Sequence, residues 1–187
     1  MNKIVKLVCL SISFLLLWSC KEELLPKPNA LLRLDYQLAQ YERFDSPCAY
    51  QFDYNIDANL KVNEKCDITI QYPKMKATVY LTYRKVNNNI NDLLKDAQKL
   101  TYEHVIKADD IVETPFINTQ NKVYGMFYQV GGNAATNTQF YATDSINHFV
   151  TGSVYFYTKP NFDSIMPAAS YIKDDMKTLL ETMSWKK

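Results

Sequence analysis

Three stretches between residues 123 and 157 alternate residue types with a period of two along the chain. They read VYGMFYQV, QFYATD and HFVTGSVYFY, and they are rich in aromatic and β-branched side chains. Such residues fit a pleated sheet that buries one face. The pattern predicts a three-stranded antiparallel meander on which the rest of the chain packs, with Gly131-Gly132-Asn133 in its first loop.

Four more strands are predicted outside this meander. Residues 48–56, 66–72 and 77–84 alternate in the same way, and Pro73-Lys74 is expected to turn the chain between the last two. Residues 55–63 are expected to form a break. Residues 111–117 are expected to be an edge strand, because Pro115 cannot donate to a ladder on both sides.

Two helices are predicted from apolar residues at helical spacing. The first follows Asn87-Asn88-Asn89, runs from Ile90 to Ala108 and is expected to end at Asp109-Asp110. The second is expected to begin near Pro167 and to close at Trp185. Strands, helix, strands and helix joined by short turns indicate an α+β fold, an antiparallel β-sheet covered by two helices.

The N-terminus has the pattern of a bacterial lipoprotein signal. Residues 1–19 combine Lys3 and Lys6 with an apolar run that is too short to span a membrane. Leu17, Ser19 and Cys20 resemble a lipobox, so Cys20 is expected to become the mature N-terminus and to carry acyl chains such as palmitate. A plain signal peptide that merely contains a cysteine is the alternative. Residues 20–29 read as a short tether, and residues 30–187 as a single α+β domain.

Charge argues against several classes of partner. Of the 21 basic residues, two leave with the signal, so 19 basic and 20 acidic residues remain. No basic excess or basic run is left to hold nucleic acid or anionic lipid headgroups. The membrane is therefore expected to be reached through the N-terminal lipid alone.

The four cysteines agree with export. Cys9 lies in the signal and Cys20 is assigned to the lipid, which leaves Cys48 and Cys66. An even pair in an oxidising compartment is most simply a disulfide, here between the starts of two predicted strands. Metal ligation or redox catalysis by this pair is disfavoured, because no C-x-x-C motif is present.

Candidate chemistry is sparse. His104 and His148 have no partner at metal-ligand spacing, so no metal and no cofactor is expected. A catalytic set drawn from Asp144, His148, Ser153 and Ser164 fails on geometry, since His148 and Ser153 are five residues apart and face opposite sides of one strand. No catalytic residue is expected, and the chain is predicted not to be an enzyme. The tyrosines either fill a sheet–helix interface or line a groove for a glycan or peptide.

Several stretches resemble one known family over nearly the full length. They are the lipobox ending at Cys20, the PKP segment with residues 31–36, YGMFYQVGGNAA at 124–135, the block 143–156, and PNFDSI with Pro167. This chain is similar to the gliding motility lipoprotein GldD family. The last two blocks also resemble PsbP-like and Mog1-like α/β/α sandwiches.

The resemblance implies a lipid-anchored accessory protein of the gliding apparatus and of the type IX secretion system coupled to it. The family's motifs have no assigned catalytic role, so the resemblance identifies no catalytic residue in this chain. It implies docking on other envelope proteins. The periplasmic face of the outer membrane is the expected location. Lys21-Glu22-Glu23 resembles a tag for the cell surface, and the alternative is that it is only the solvated start of the tether. The alternative function is an envelope binding module or enzyme that acts on peptidoglycan or another glycan through an aromatic groove.

Overall fold

A large antiparallel sheet is the centre of the molecule. The computed structural model describes residues 36–102, 108–132, 134, 136–157 and 162–186. The large sheet has seven strands in the order β3-β4-β5-β9-β8-β7-β6. They are β3 (Asn59–Val62), β4 (Ile68–Tyr72), β5 (Ala77–Lys85), β6 (Ala108–Asn118), β7 (Val123–Gly132), β8 (Thr138–Thr143) and β9 (His148–Phe156). The predicted meander is confirmed as β7-β8-β9.

A second, small sheet lies against the first. Its order is β1-β2-β10, and its strands are β1 (Tyr41–Phe44), β2 (Tyr50–Asn55) and β10 (Ser184–Trp185). Two α-helices, α1 (Ile90–Tyr102) and α2 (Phe162–Thr182), and one turn of 3-10 helix (Pro73–Met75) complete the described part of the chain. The predicted α+β class is therefore confirmed.

The core lies on one face of the large sheet. Val79, Leu81, Val150 and Val154 point from the sheet into a fully buried cluster with residues of the small sheet and α2. The α2 residues of this cluster are Ile172, Met176, Leu179 and Leu180. Side chains alternate between faces along a strand, so Phe149 points to the opposite face, where it packs with Ala97 of α1. The two helices thus cover opposite faces of the large sheet.

Several predicted boundaries are wrong. The first helix was expected to reach Ala108, but Ala108 begins β6 because its backbone pairs with Gly132 across the sheet. Long-range pairing here overrides local helical spacing. The second helix begins at Phe162 and contains Pro167 inside it, so the proline does not mark its start.

Three strands lie where none was predicted. One is β10, since the second helix was expected to close at Trp185 but ends at Thr182, and Ser184–Trp185 pairs with β2. The other two are β3 and β1. Residues 55–63 were expected to be a break, yet Asn59–Val62 pairs with β4 as the edge strand β3. Tyr41–Phe44 pairs with β2 as β1. Both strands are short and mostly exposed, so they lack the alternation that a half-buried strand shows.

Candidate docking site

The strand β6 forms one edge of the large sheet, as Pro115 predicted. It is 11 residues long, and β7 is its only neighbour among the described strands. Val112 is 48% exposed and Ile117 is 71% exposed. A long edge strand with exposed apolar side chains is a site where other polypeptides associate.

The register shows which backbone groups of β6 have no strand partner among the described residues. The amide of Val130 in β7 donates to the carbonyl of Asn137 at 2.8 Å, so its backbone groups point toward β8. In an antiparallel ladder the backbone groups of alternate residues point to opposite neighbours. Four β6 residues pair with Val130 and with the β7 residues two, four and six positions before it. The backbone groups of these four residues therefore point away from the sheet. The four residues are Ile111, Glu113, Pro115 and Ile117.

Pro115 fits this arrangement. It pairs with Met126, whose backbone groups point toward β8, so the missing amide hydrogen lies on the open side of β6. No bond of the β6–β7 ladder is lost there. The free edge consequently offers three amide donors and four carbonyl acceptors between residues 111 and 117.

A groove runs between β6 and α2. It consists of two adjoining cavities of about 300 and 170 Å³, and both are lined by Gln129 and Lys173. Val112, Met166 and Ala169 line the larger cavity. Thr114, Phe116, Lys177 and Leu180 line the smaller one. The free edge therefore has an apolar-floored channel directly beside it.

The charges that α2 contributes to this groove are locally balanced, and β6 adds the carboxylate of Asp110 to the larger cavity. The Lys173 ammonium lies 3.7 Å from Asp174, and the Lys177 ammonium lies 3.8 Å from Glu181. These are partly or fully exposed pairs, which contribute little to stability. Their effect is to leave the α2 wall without a strong excess of either sign.

Asp144 acts as a turn residue. Its Oδ1 accepts the backbone amides of Ile146, Asn147 and His148 at 3.0, 2.7 and 2.8 Å. Burial works against ionisation, but these three donors outweigh it and lower the pKa of the carboxyl group. The carboxylate is held by the hairpin between β8 and β9.

His148 packs at the other end of that hairpin. Its Nδ1 shares a hydrogen bond of 2.8 Å with the Tyr83 hydroxyl, and its ring stacks on Trp185 at 5.1 Å between centroids. Ser153 is five positions further along β9 and so faces the opposite side of the sheet. The structure does not bring these two residues together. Ser164 is exposed near the start of α2, and His104 lies outside the described residues.

Cys48 and Cys66 form a disulfide with 5.6 Å between their Cα atoms. Cys48 precedes β2 of the small sheet, and Cys66 precedes β4 of the large sheet. The bridge therefore joins the two sheets, because the two predicted strands whose starts it connects lie in different sheets. The Tyr50 hydroxyl donates to the Cys66 carbonyl at 2.9 Å and reinforces the same junction. Cys20 lies outside the described residues.

The tyrosines divide between core and surface. Tyr50 and Tyr128 are at most 2% exposed, whereas Tyr80 and Tyr157 are 43% and 63% exposed. Tyr80 contacts Tyr155 edge-to-face at 5.8 Å. Three tyrosines form an aromatic group on the large sheet: Tyr80 in β5, Tyr155 in β9 and Tyr157 directly after β9. This group is called the tyrosine surface. Hydrogen bonding to Tyr157, with some burial, raises the pKa of Tyr80.

Asp175 is a buried residue that the sequence reasoning missed. It is 4% exposed, and its carboxylate accepts the Tyr41 hydroxyl at 2.6 Å and the Asn55 amide at 2.8 Å. Burial raises its pKa, although these donors act in the opposite direction. The sequence did contain a signal of this burial, because Asp175 lies between Ile172 and Leu179 on the apolar stripe of α2. The network holds α2 to the small sheet.

In the described part of the chain, no three His, Cys, Asp or Glu side chains lie close enough to hold a metal ion. Within the same residues, no helix has both the length and the apolar character needed to span a bilayer.

The family model described as gliding motility lipoprotein GldD matches residues 21–185. No curated protein matches the chain.

Proposed function

The chain belongs to the gliding motility lipoprotein GldD family, and from this premise we propose that it is a non-enzymatic docking component of the gliding and type IX secretion machinery. Membership implies a lipoprotein of the cell envelope that is associated with gliding motility. The docking role and the coupling to secretion are the parts that we propose. Other envelope proteins of the apparatus are the partners.

The observation that carries the proposal is the open edge of β6 beside the groove along α2. It combines exposed apolar side chains with backbone groups that have no partner in the part of the chain that the structure describes, and the two features together favour association with protein. Asp144 and His148, the polar residues with the best claim to chemistry, have structural roles instead. Asp144 holds a hairpin, and His148 stacks on Trp185 where the two sheets meet. The surface thus supports docking better than it supports turnover of a substrate.

The proposed location is the periplasmic face of the outer membrane, with Cys20 as the lipid-bearing residue. Three acyl chains bind a bilayer far more firmly than a single one, since each buried methylene contributes about 0.8 kcal/mol. Mass spectrometry of the mature N-terminal peptide tests the lipid, and fractionation of a Cys20→Ala variant tests the anchoring. Surface-exposed protein on intact cells, seen by protease shaving, contradicts the periplasmic face.

Deletion of the gene tests the function. We expect the deletion strain to lose gliding and to retain secreted cargo inside the cell, and the wild-type gene to restore both. A Cys20→Ala gene is expected to restore neither, because the domain is no longer held beside the membrane. Unimpaired gliding and cargo secretion in the deletion strain contradict the proposal.

A second candidate function rests on the tyrosine surface. Exposed aromatic rings on a sheet are suited to stacking against sugars, so this surface fits a module that binds peptidoglycan or another envelope glycan. Co-sedimentation of the purified chain with cell-wall sacculi tests it, with Tyr80→Ala and Tyr157→Ala as variants. Binding that both substitutions abolish supports this function, and absence of sedimentation contradicts it.

A further inference from the structure

The outward backbone groups of β6 have no strand partner among the described residues, so another strand can pair with this edge. We propose that an extended segment of a different envelope polypeptide pairs with β6 and becomes the eighth strand of the large sheet. The contacts are made by the outward backbone groups of Ile111, Glu113 and Ile117 and by the outward carbonyl of Pro115. This inference rests on the proposed docking function and names the surface and the kind of partner that it uses.

The spacing of the free groups selects an extended partner. Outward residues recur every second position, which is about 7 Å along a strand. Another extended backbone presents donors and acceptors at the same spacing, whereas a helix satisfies its own backbone groups internally. The partner segment is therefore a strand.

The groove accommodates the side chains of that strand. Residues 111–117 span about 20 Å, and α2 from Met166 to Leu180 spans about 21 Å beside them. Every second side chain of an added strand then points into the groove, toward Val112, Phe116 and Ala169. Since Asp174 and Glu181 balance the nearby lysines, apolar side chains fit these positions best.

A second copy of the chain fits the same edge poorly. Two copies related by a two-fold axis pair antiparallel, so β6 faces itself. With the axis at Glu113, two carboxylates of like charge lie directly opposite each other, which is destabilising. With the axis at Thr114, each Pro115 faces Glu113 of the other copy, and the missing amides remove two ladder bonds. A strand without proline loses at most one bond, so a different polypeptide is favoured.

The register supplies a substitution that is selective for the edge. Glu113→Pro removes an outward amide but no bond to β7, because the Glu113 backbone points away from β7. Glu113→Ala is the matched control, since it also removes the carboxylate and its contact with Tyr102 but keeps the amide. Ile117→Pro and Ile117→Ala repeat the comparison at the other end of the edge.

Photo-crosslinking in living cells tests the pairing. The photoreactive residue p-benzoylphenylalanine replaces Val112, which is exposed beside the groove, in the lipid-anchored chain. We expect cross-linking to one other polypeptide, at a short segment identified by mass spectrometry. The proline variants are expected to lower the yield about tenfold, whereas the alanine variants keep it, because one ladder bond is lost. Equal yields in proline and alanine variants, or cross-linking to a second copy of this chain, overturn the inference.

Hydrogen exchange on the purified chain checks that the variants keep their fold. The amides of Val112, Thr114 and Phe116 face β7 and are expected to stay protected in every variant, while the outward amides exchange quickly. If Glu113→Pro loses the inner protection, Ile117→Pro becomes the deciding variant. A deletion strain that glides normally refutes the docking function itself. A Glu113→Pro gene that fully restores a defective deletion strain refutes only the use of this edge.

Discussion

Replacing Cys48 with serine removes the covalent link between the two sheets, and we expect the melting temperature to fall by about 6–12 °C. The bridge joins residues 18 positions apart in sequence. Closing a loop of that size lowers the entropy of the unfolded chain and stabilises the fold by about 3 kcal/mol. In a domain of this size, each kcal/mol corresponds to about 2–4 °C in the melting temperature.

The assay is thermal unfolding followed by circular dichroism, with and without a thiol reductant. Cys48 is buried, so the serine hydroxyl adds a local cost that is separate from the lost bridge. Reduced wild-type protein provides the control, because it lacks the bridge but keeps the sulfur atoms. The Cys48→Ser variant and reduced wild-type protein should melt close together and well below the oxidised wild type. Equal melting curves for oxidised and reduced wild-type protein refute the stabilising role.

Three further substitutions test the interior. Burial raises the pKa of Asp175 above its ordinary value of 3.8. The protonated carboxyl group therefore contributes to the stability of the folded state at low pH, and this contribution to the free energy of unfolding is lost as the pH rises through the raised pKa. The stability advantage of wild type over Asp175→Asn should therefore be largest at low pH and shrink as the pH rises; an advantage that grows with pH in urea titrations contradicts this. Gly152→Ala should cost about 1–3 kcal/mol in urea unfolding, because its Cβ overlaps the buried Phe140 ring, and adding Phe140→Leu should recover part of the loss. Trp185→Phe should lower the free energy of unfolding by about 1 kcal/mol, because the indole donates to the Lys122 carbonyl at 2.9 Å; an unchanged urea midpoint argues against that bond.

The sequence predicts the centre of the large sheet well and its margins poorly. The strands β5, β7, β8 and β9 carry alternating side chains because they are long and have at least one buried face. Strands β1 and β3 leave most of their side chains in water, so nothing in their composition required alternation. Pro167 misled the prediction of α2, because packing of Ile172 and Met176 in the core outweighs one missing amide bond.

The candidate site was only partly predictable. Pro115 identified β6 as an edge strand from the sequence alone. The direction of each backbone group depends on the pairing of β7 with β8, which is long-range information. The groove likewise forms between β6 and α2, elements that are far apart in sequence and separated by three strands along the chain.

The position of β10 has a consequence for export. Ser184 and Trp185 pair with Gln51 and Tyr50, so the small sheet is assembled from residues more than 130 positions apart. Contacts of such separation form late, since a long loop must close before they can be made. In a polypeptide exported from its N-terminal side, β2 consequently has β1 as its only neighbour in the small sheet until residue 185 has emerged. During that interval, chaperones that protect exposed strands are expected to bind at β2.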